Sequence, residues 1–230
     1  MQTPHLSEKH KSTLFHILKD NPKQEVVGYF EVDESADATE AVIVDVKEVA
    51  RGDDETVAYR EFNPYVFHTH PLSALRMAEP PSGEDLMQAL SWGYPDFNEK
   101  KRSCTWECVV ASEGLWWYSG TGGLRDYYFE LQDRDEEMQN YLAKQIVRYA
   151  NVLGTMLKNR RITLAEFIKR LEVIDFYWMQ KLIQDNEPFL RYLEKQFPLA
   201  AMAKLTEAKY AEMRNVAGFR IYLEVNLEVE

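Results

Sequence analysis

The apolar residues of this 230-residue chain change their spacing part-way along, and that change limits the folds open to it. Short runs rich in β-branched and aromatic residues come first, at Glu25 to Val32, Ala41 to Ala50, Tyr65 to His70, Thr105 to Ala111 and Leu115 to Tyr118, and these read as strands. A helix candidate precedes them around Glu8 to Lys19, and another starts at Ser82. From about Asp133 the period becomes helical. Leu142, Ile146, Tyr149, Leu153, Met156 and Leu157 share one face, and Leu164, Ile168, Leu171, Asp175 and Trp178 form a second, less apolar stripe. The pattern predicts two long helices, then shorter ones to about Asn215. The closing run Phe219-Arg220-Ile221-Tyr222-Leu223-Glu224-Val225 alternates again and reads as a strand able to return to the sheet. The expected class is α+β (mixed α/β): a sheet-bearing module over residues 1–132, and a helical extension with a C-terminal strand over 133–230, packed on the first if that strand returns.

Within the strand-rich part, Asn63-Pro64-Tyr65-Val66-Phe67-His68-Thr69-His70 puts two imidazoles on one face, because alternate strand residues point the same way. Pro71 turns the chain out of the strand. Pro80-Pro81-Ser82 then looks like a helix start, with Ser82 at or near the N-cap and Asp85 one turn in. A strand end carrying two histidines can thus face an aspartate at a helix N-terminus. Catalytic zinc takes three protein ligands of nitrogen and carboxylate oxygen and keeps a fourth position open, and His68, His70 and Asp85 supply that number. Each residue also has a plainer role. Ser-x-x-acid ahead of Leu86-Met87-Gln88-Ala89-Leu90 is a capping box, and a lone strand histidine is commonly a hydrogen-bonded neighbour of no chemical consequence.

Taken together, these residues resemble the JAMM metallopeptidases, also called the MPN or JAB family, whose motif is an upstream glutamate, then His-x-His-Pro, then Ser-x-x-Asp. Upstream, Glu25-Val26-Val27-Gly28-Tyr29-Phe30 is similar to the family's first strand. The resemblance covers roughly residues 22 to 120. It implies an MPN-like fold in which His68, His70 and Asp85 bind zinc, Glu25 is the general base, and the Ser82 hydroxyl stabilises the oxyanion. Glu31, six residues on and on the same strand face, is the alternative base. One departure stands out: Pro71 to Pro81 form a spacer longer than the family's commoner one, similar to that of some viral members. Extra length in a surface loop costs little, since closure entropy grows only logarithmically.

The resemblance implies hydrolysis of an amide by zinc-activated water. Zinc lowers the pKa of bound water from about 15.7 towards about 7 and polarises the carbonyl. The implied substrate is a conjugate of ubiquitin or a ubiquitin-like protein, cut at a lysine isopeptide bond. Two rivals remain: a non-catalytic MPN scaffold within an assembly, and a zinc hydrolase of another small modifier or peptide. A scaffold has no need to retain all five motif residues.

Composition narrows the partners. The net charge of −11 argues against nucleic acid, which needs concentrated lysine and arginine, and the clusters Lys100-Lys101-Arg102 and Lys158-Asn159-Arg160-Arg161 read as solvated turns. No apolar run approaches the length of a membrane span, and Met1 to Ser7 lacks the pattern of a signal peptide. The expected location is intracellular, cytoplasmic and also open to the nucleus. Cys104 and Cys108 would share a strand face about 13 Å apart, too far for a disulfide, and are expected as buried or partly buried thiols. The apolar stripes of the helical part are core, or else a seam for oligomerisation or a protein partner.

Overall fold

The computed structural model describes residues 4–33, 41–52, 63, 65–71, 78–91, 106–120, 122–196 and 216–225. Its class is mixed α/β: seven helices and a seven-stranded sheet, with a further two-stranded sheet, among the described residues. Two compact units are each assembled from separate stretches of chain. One comprises residues 1–80, 95–119 and 221–230, the other residues 81–94 and 120–220.

In the first unit, a two-residue strand β1 (Pro4–His5) leads into α1 (Glu8–Asp20). Ser7 caps α1 by accepting from the His10 N–H, and Glu8 and Lys19 sit at the dipole ends that favour their charges. The helix buries Leu14 and Leu18. β2 (Val26–Asp33) then pairs antiparallel with β3 (Ala41–Arg51) on one side and with β4 (Tyr65–Thr69) on the other. β5 (Trp106–Ala111) runs parallel to β4, and β6 (Gly114–Gly120) returns antiparallel to β5. A parallel pair cannot be joined by a tight turn, and the chain passes through α2 (Gly83–Ser91) between β4 and β5. With β9 (Phe219–Val225) the sheet order is β1-β3-β2-β4-β5-β6-β9. The alternating run at the end of the chain does return to the sheet.

Strand parity sorts the side chains. Phe30, Tyr65, Phe67, Trp106, Cys108, Val110, Leu115 and Trp117 join Leu14 and Leu18 in one buried cluster. The other parity carries Val27, Val66, His68, Val109, Trp116 and Tyr118, with Val27 opposite His68, His68 opposite Val109 and Val109 opposite Trp116. β5 and β6 are buried at every residue, which strands achieve only when both faces are covered. Cys108 is a buried free thiol, pushed well above its ordinary pKa by desolvation, while Cys104 and the Lys100-Lys101-Arg102 cluster lie outside the described residues.

The second unit is built on α4 (Glu136–Lys158), 23 residues long and capped by the Asp135 carboxylate on the Met138 N–H. Leu142, Ile146, Tyr149 and Leu153 are buried, as their spacing predicts. Two features depart from the sequence reading. A helix α3 (Gly122–Arg134) precedes α4, where the sequence pattern starts helix only at about Asp133. The second expected long helix is instead two short ones, α5 (Leu164–Glu172) and α6 (Phe176–Asp185), separated by the two-residue strand β7 (Val173–Ile174), which pairs with β8 (Val216–Ala217). The break has a local cause: Val173 and Ile174 are β-branched, and Asp175 accepts from the Trp178 N–H as a fresh N-cap. The buried stripe there is accordingly Phe167, Leu171 and Ile174, with Ile168 and Trp178 half-buried. α7 (Glu187–Gln196) follows α6.

Candidate metal centre

β4 ends at Thr69, two residues before the proline that cannot extend a ladder, yet the His70 N–H still reaches the Val110 carbonyl at 3.0 Å. The backbone of both histidines is therefore fixed by β5. His68 and His70 are half-buried, with ring centroids 5.1 Å apart and their Nε2 atoms 3.3 Å apart. That spacing is informative. Two nitrogens bound to one tetrahedral zinc at about 2.05 Å stand about 3.3 Å from each other.

The tautomer of His70 follows from its other nitrogen. Nδ1 lies 3.2 Å from the Glu79 carbonyl oxygen, and a carbonyl only accepts, so this contact needs a hydrogen on Nδ1, the arrangement that leaves Nε2 as the ligating atom. Glu79 is itself held. Its N–H donates to the Glu113 carboxylate at 2.6 Å, and the same Oε1 accepts from Trp116 Nε1 at 2.7 Å.

Thr69, between the two histidines, faces the other way and is fully buried. Its hydroxyl accepts from the Val26 N–H at 2.9 Å and lies 3.5 Å from the Gln24 carbonyl, gripping the chain on both sides of Glu25. Glu25 sits one residue ahead of β2, half-buried, with its carbonyl accepting from the Gly52 N–H at 2.8 Å. The pairing of β2 with β4 ends at Val27 opposite His68, two residues short of Glu25. Its alternative, Glu31, stands about 20 Å further along the strand and lies 3.9 Å from Lys47.

α2 begins as the sequence predicts, with Ser82 as its N-cap. The Ser82 N–H donates to Asp85 Oδ2 at 2.7 Å and the Asp85 N–H donates to Ser82 Oγ at 3.1 Å, a reciprocal capping box. Capping does not preclude ligation, since a carboxylate offers about four lone-pair directions on two oxygens. The start of this helix is tied to α4 through Asn151, whose Oδ1 accepts from the Gly83 N–H at 2.8 Å and whose Nδ2 donates to Glu84 at 3.4 Å. Gly83 has to be glycine: a Cβ there would lie 2.3 Å from the Val147 carbonyl oxygen of α4.

One ligand atom from each of His68, His70 and Asp85 lies within 4.8 Å of the others, and the three form a group that can hold a metal ion. Glu25 is outside that group. Sequence reasoning missed Glu79, Glu113 and Asn151, which hold the motif residues in place but sit in no recognisable pattern; Glu113 and Asn151 are also remote from them in sequence. Among the described residues, no helix is long and apolar enough to cross a membrane. Comparison with known proteins returns no match to a family model, a curated protein or a solved structure.

Proposed function

We propose that this chain is a zinc-dependent peptidase of the JAMM type, acting as an isopeptidase that removes ubiquitin or a ubiquitin-like modifier from lysine. The observation that carries the reading is the pair of Nε2 atoms 3.3 Å apart in one group with the Asp85 carboxylate. Two nitrogens and one oxygen fit a tetrahedral cation that keeps a fourth position for water, whereas structural zinc sites are closed by four protein ligands. Bound zinc supplies a Lewis acid that acidifies its water towards neutral pH and polarises the scissile carbonyl.

The protein groups do the rest. Glu25 takes the proton of the attacking water and passes it to the departing lysine amine, a double role suited to a carboxylate beside the ligands rather than among them. The grip of Thr69 on either side of Glu25 supports that placement. The Ser82 oxygen is fixed by the Asp85 N–H, and its hydroxyl hydrogen donates to the oxyanion of the tetrahedral intermediate. The substrate class rests on the motif Glu25, His68-Thr69-His70-Pro71 and Ser82-Gly83-Glu84-Asp85, and the cytoplasm or nucleus is the location that goes with it.

A panel of ubiquitin and ubiquitin-like isopeptide conjugates, incubated with protein of measured zinc content, tests the reading. Chelator-sensitive cleavage is expected, and Glu25→Gln should retain zinc while losing turnover by about 10²- to 10⁴-fold. Full activity of that variant would overturn the role of Glu25. Stoichiometric zinc without cleavage of any conjugate would redirect the search to other amide substrates, and a wild-type protein that binds no zinc would favour a scaffold.

A further inference from the structure

Glu113 lies in the turn between β5 and β6, 43 residues from His70 in sequence, yet the two are joined by a short relay. Its carboxylate gathers three donors: the Glu79 N–H at 2.6 Å, Trp116 Nε1 at 2.7 Å and the Ser112 hydroxyl at 3.3 Å. The opposite side of the Glu79 residue, its carbonyl, receives His70 Nδ1 at 3.2 Å. Trp116 is wholly buried on a strand whose register fixes it opposite Val109, itself opposite His68. The indole therefore gives the relay a rigid origin. Glu79 comes at the far end of the long spacer after His70, so that spacer, whatever its path, is pinned at Glu79.

We propose that Glu113 is a positioning residue for the metal centre: it clamps the Glu79 backbone so that the Glu79 carbonyl holds the hydrogen of His70 on Nδ1 and aims the Nε2 lone pair at the metal. The proposal rests on the peptidase reading only in taking His70 as a ligand. The physical need is specific, because an imidazole left to itself in water favours the opposite tautomer, with hydrogen on Nε2, which cannot ligate through that atom. Carboxylate acceptors make hydrogen bonds roughly twice as strong as neutral ones, so a charged clamp secures a backbone segment that would otherwise belong to a loop.

The experiment is a long-range ¹H–¹⁵N correlation of the histidine side chains in metal-free protein, followed by zinc titration against a competing chelator. In the wild type, His70 should carry its hydrogen on Nδ1. Glu113→Ala should shift His70 towards the Nε2–H tautomer and weaken zinc binding by about 10- to 100-fold, as loss of a partner beyond the ligands typically does. Glu113→Gln, which keeps an acceptor of the same reach, should lose less of both. A merely structural Glu113 would lower the melting temperature and leave the tautomer alone. Hydrogen on Nε2 in the wild type, or a variant with unchanged tautomer and zinc affinity, overturns the proposal. If Glu113→Ala does not fold, the wild-type tautomer and the Gln variant decide. A protein that cleaves no conjugate would remove the isopeptidase substrate from the reading and leave this test standing.

Discussion

Two helices of this protein open with the same device, and only one of them contributes its acid to a group that can hold a metal. α2 begins Ser82-Gly83-Glu84-Asp85 and α5 begins Thr163-Leu164-Ala165-Glu166, and both are reciprocal capping boxes. At α5 the Thr163 N–H and hydroxyl both donate to Glu166 Oε2, at 2.9 and 3.1 Å, and the box is exposed. At α2 the box is half-buried, and Ser82 Oγ accepts from Asp85 without donating to any described residue. The α5 hydroxyl spends its hydrogen on its own cap, whereas the α2 hydroxyl keeps one to give. A capping pattern therefore carries no chemistry by itself; what distinguishes α2 is that its acid belongs to one group with two imidazoles.

The sharpest way to break this contrast is to remove each acid in turn. Asp85→Ala should lose bound metal and with it turnover, while Glu166→Ala should bind metal as the wild type does, read as zinc stoichiometry after dialysis. Equal zinc in the two variants would reduce Asp85 to a cap. Next come the hydroxyls. Ser82→Ala and Thr163→Ala should each cost about 1 kcal/mol in urea unfolding, but only Ser82→Ala should lower kcat, by about 10²- to 10³-fold with metal retained.

The first helical residue gives a smaller effect of unexpected sign. Replacing glycine by alanine in a helix normally stabilises by up to about 1 kcal/mol, yet Gly83→Ala should destabilise by about 1–3 kcal/mol, because the new methyl meets the α4 backbone at Val147. A raised melting temperature in that variant would mean that α2 can draw away from α4. The smallest effect is one of pH. The Thr163 N–H, and then its hydroxyl, hold the Glu166 carboxyl below its ordinary value. A carboxylate lowered on folding stabilises above its unfolded pKa, and that contribution fades as pH drops through the folded value, so the α5 cap should loosen only below about pH 4.3. Amide exchange of the first turn of α5 would follow it, and a cap that loosened at neutral pH would contradict the assignment.

Where local chemistry decided the structure, the sequence was readable. The parity of His68 and His70 followed from one aromatic run, and the start of α2 from Pro80-Pro81-Ser82. The expected strands match the observed ones to within two residues at each end. α3 was hidden because Gly122-Gly123 reads as a turn; in the structure Gly123 lies beside β8, where a Cβ would stand 3.2 Å from Ala217. Only tertiary contact explains that glycine. The split between α5 and α6 was signalled by Val173-Ile174-Asp175, but the apolar spacing ran through it and masked the cap. Within the candidate site, the three residues that can hold a metal ion were legible, and the groups that hold them in place were not. Glu113 and Asn151 are ordinary polar residues at 43 and 66 positions from His70 and Asp85, and no periodicity links residues that meet only after folding.

The position of β9 has a consequence for how this chain is made. β6 gains its outer neighbour only from residues 219–225, after residues 121–218 have been synthesised. During translation, a ribbon containing Leu115-Trp116-Trp117-Tyr118 must therefore wait with one row of backbone donors and acceptors unpaired, the kind of edge that recruits a strand from another nascent chain. Slow elongation through the helical segment would prolong that exposure, and a chaperone that shields β6 would be of most use in that interval.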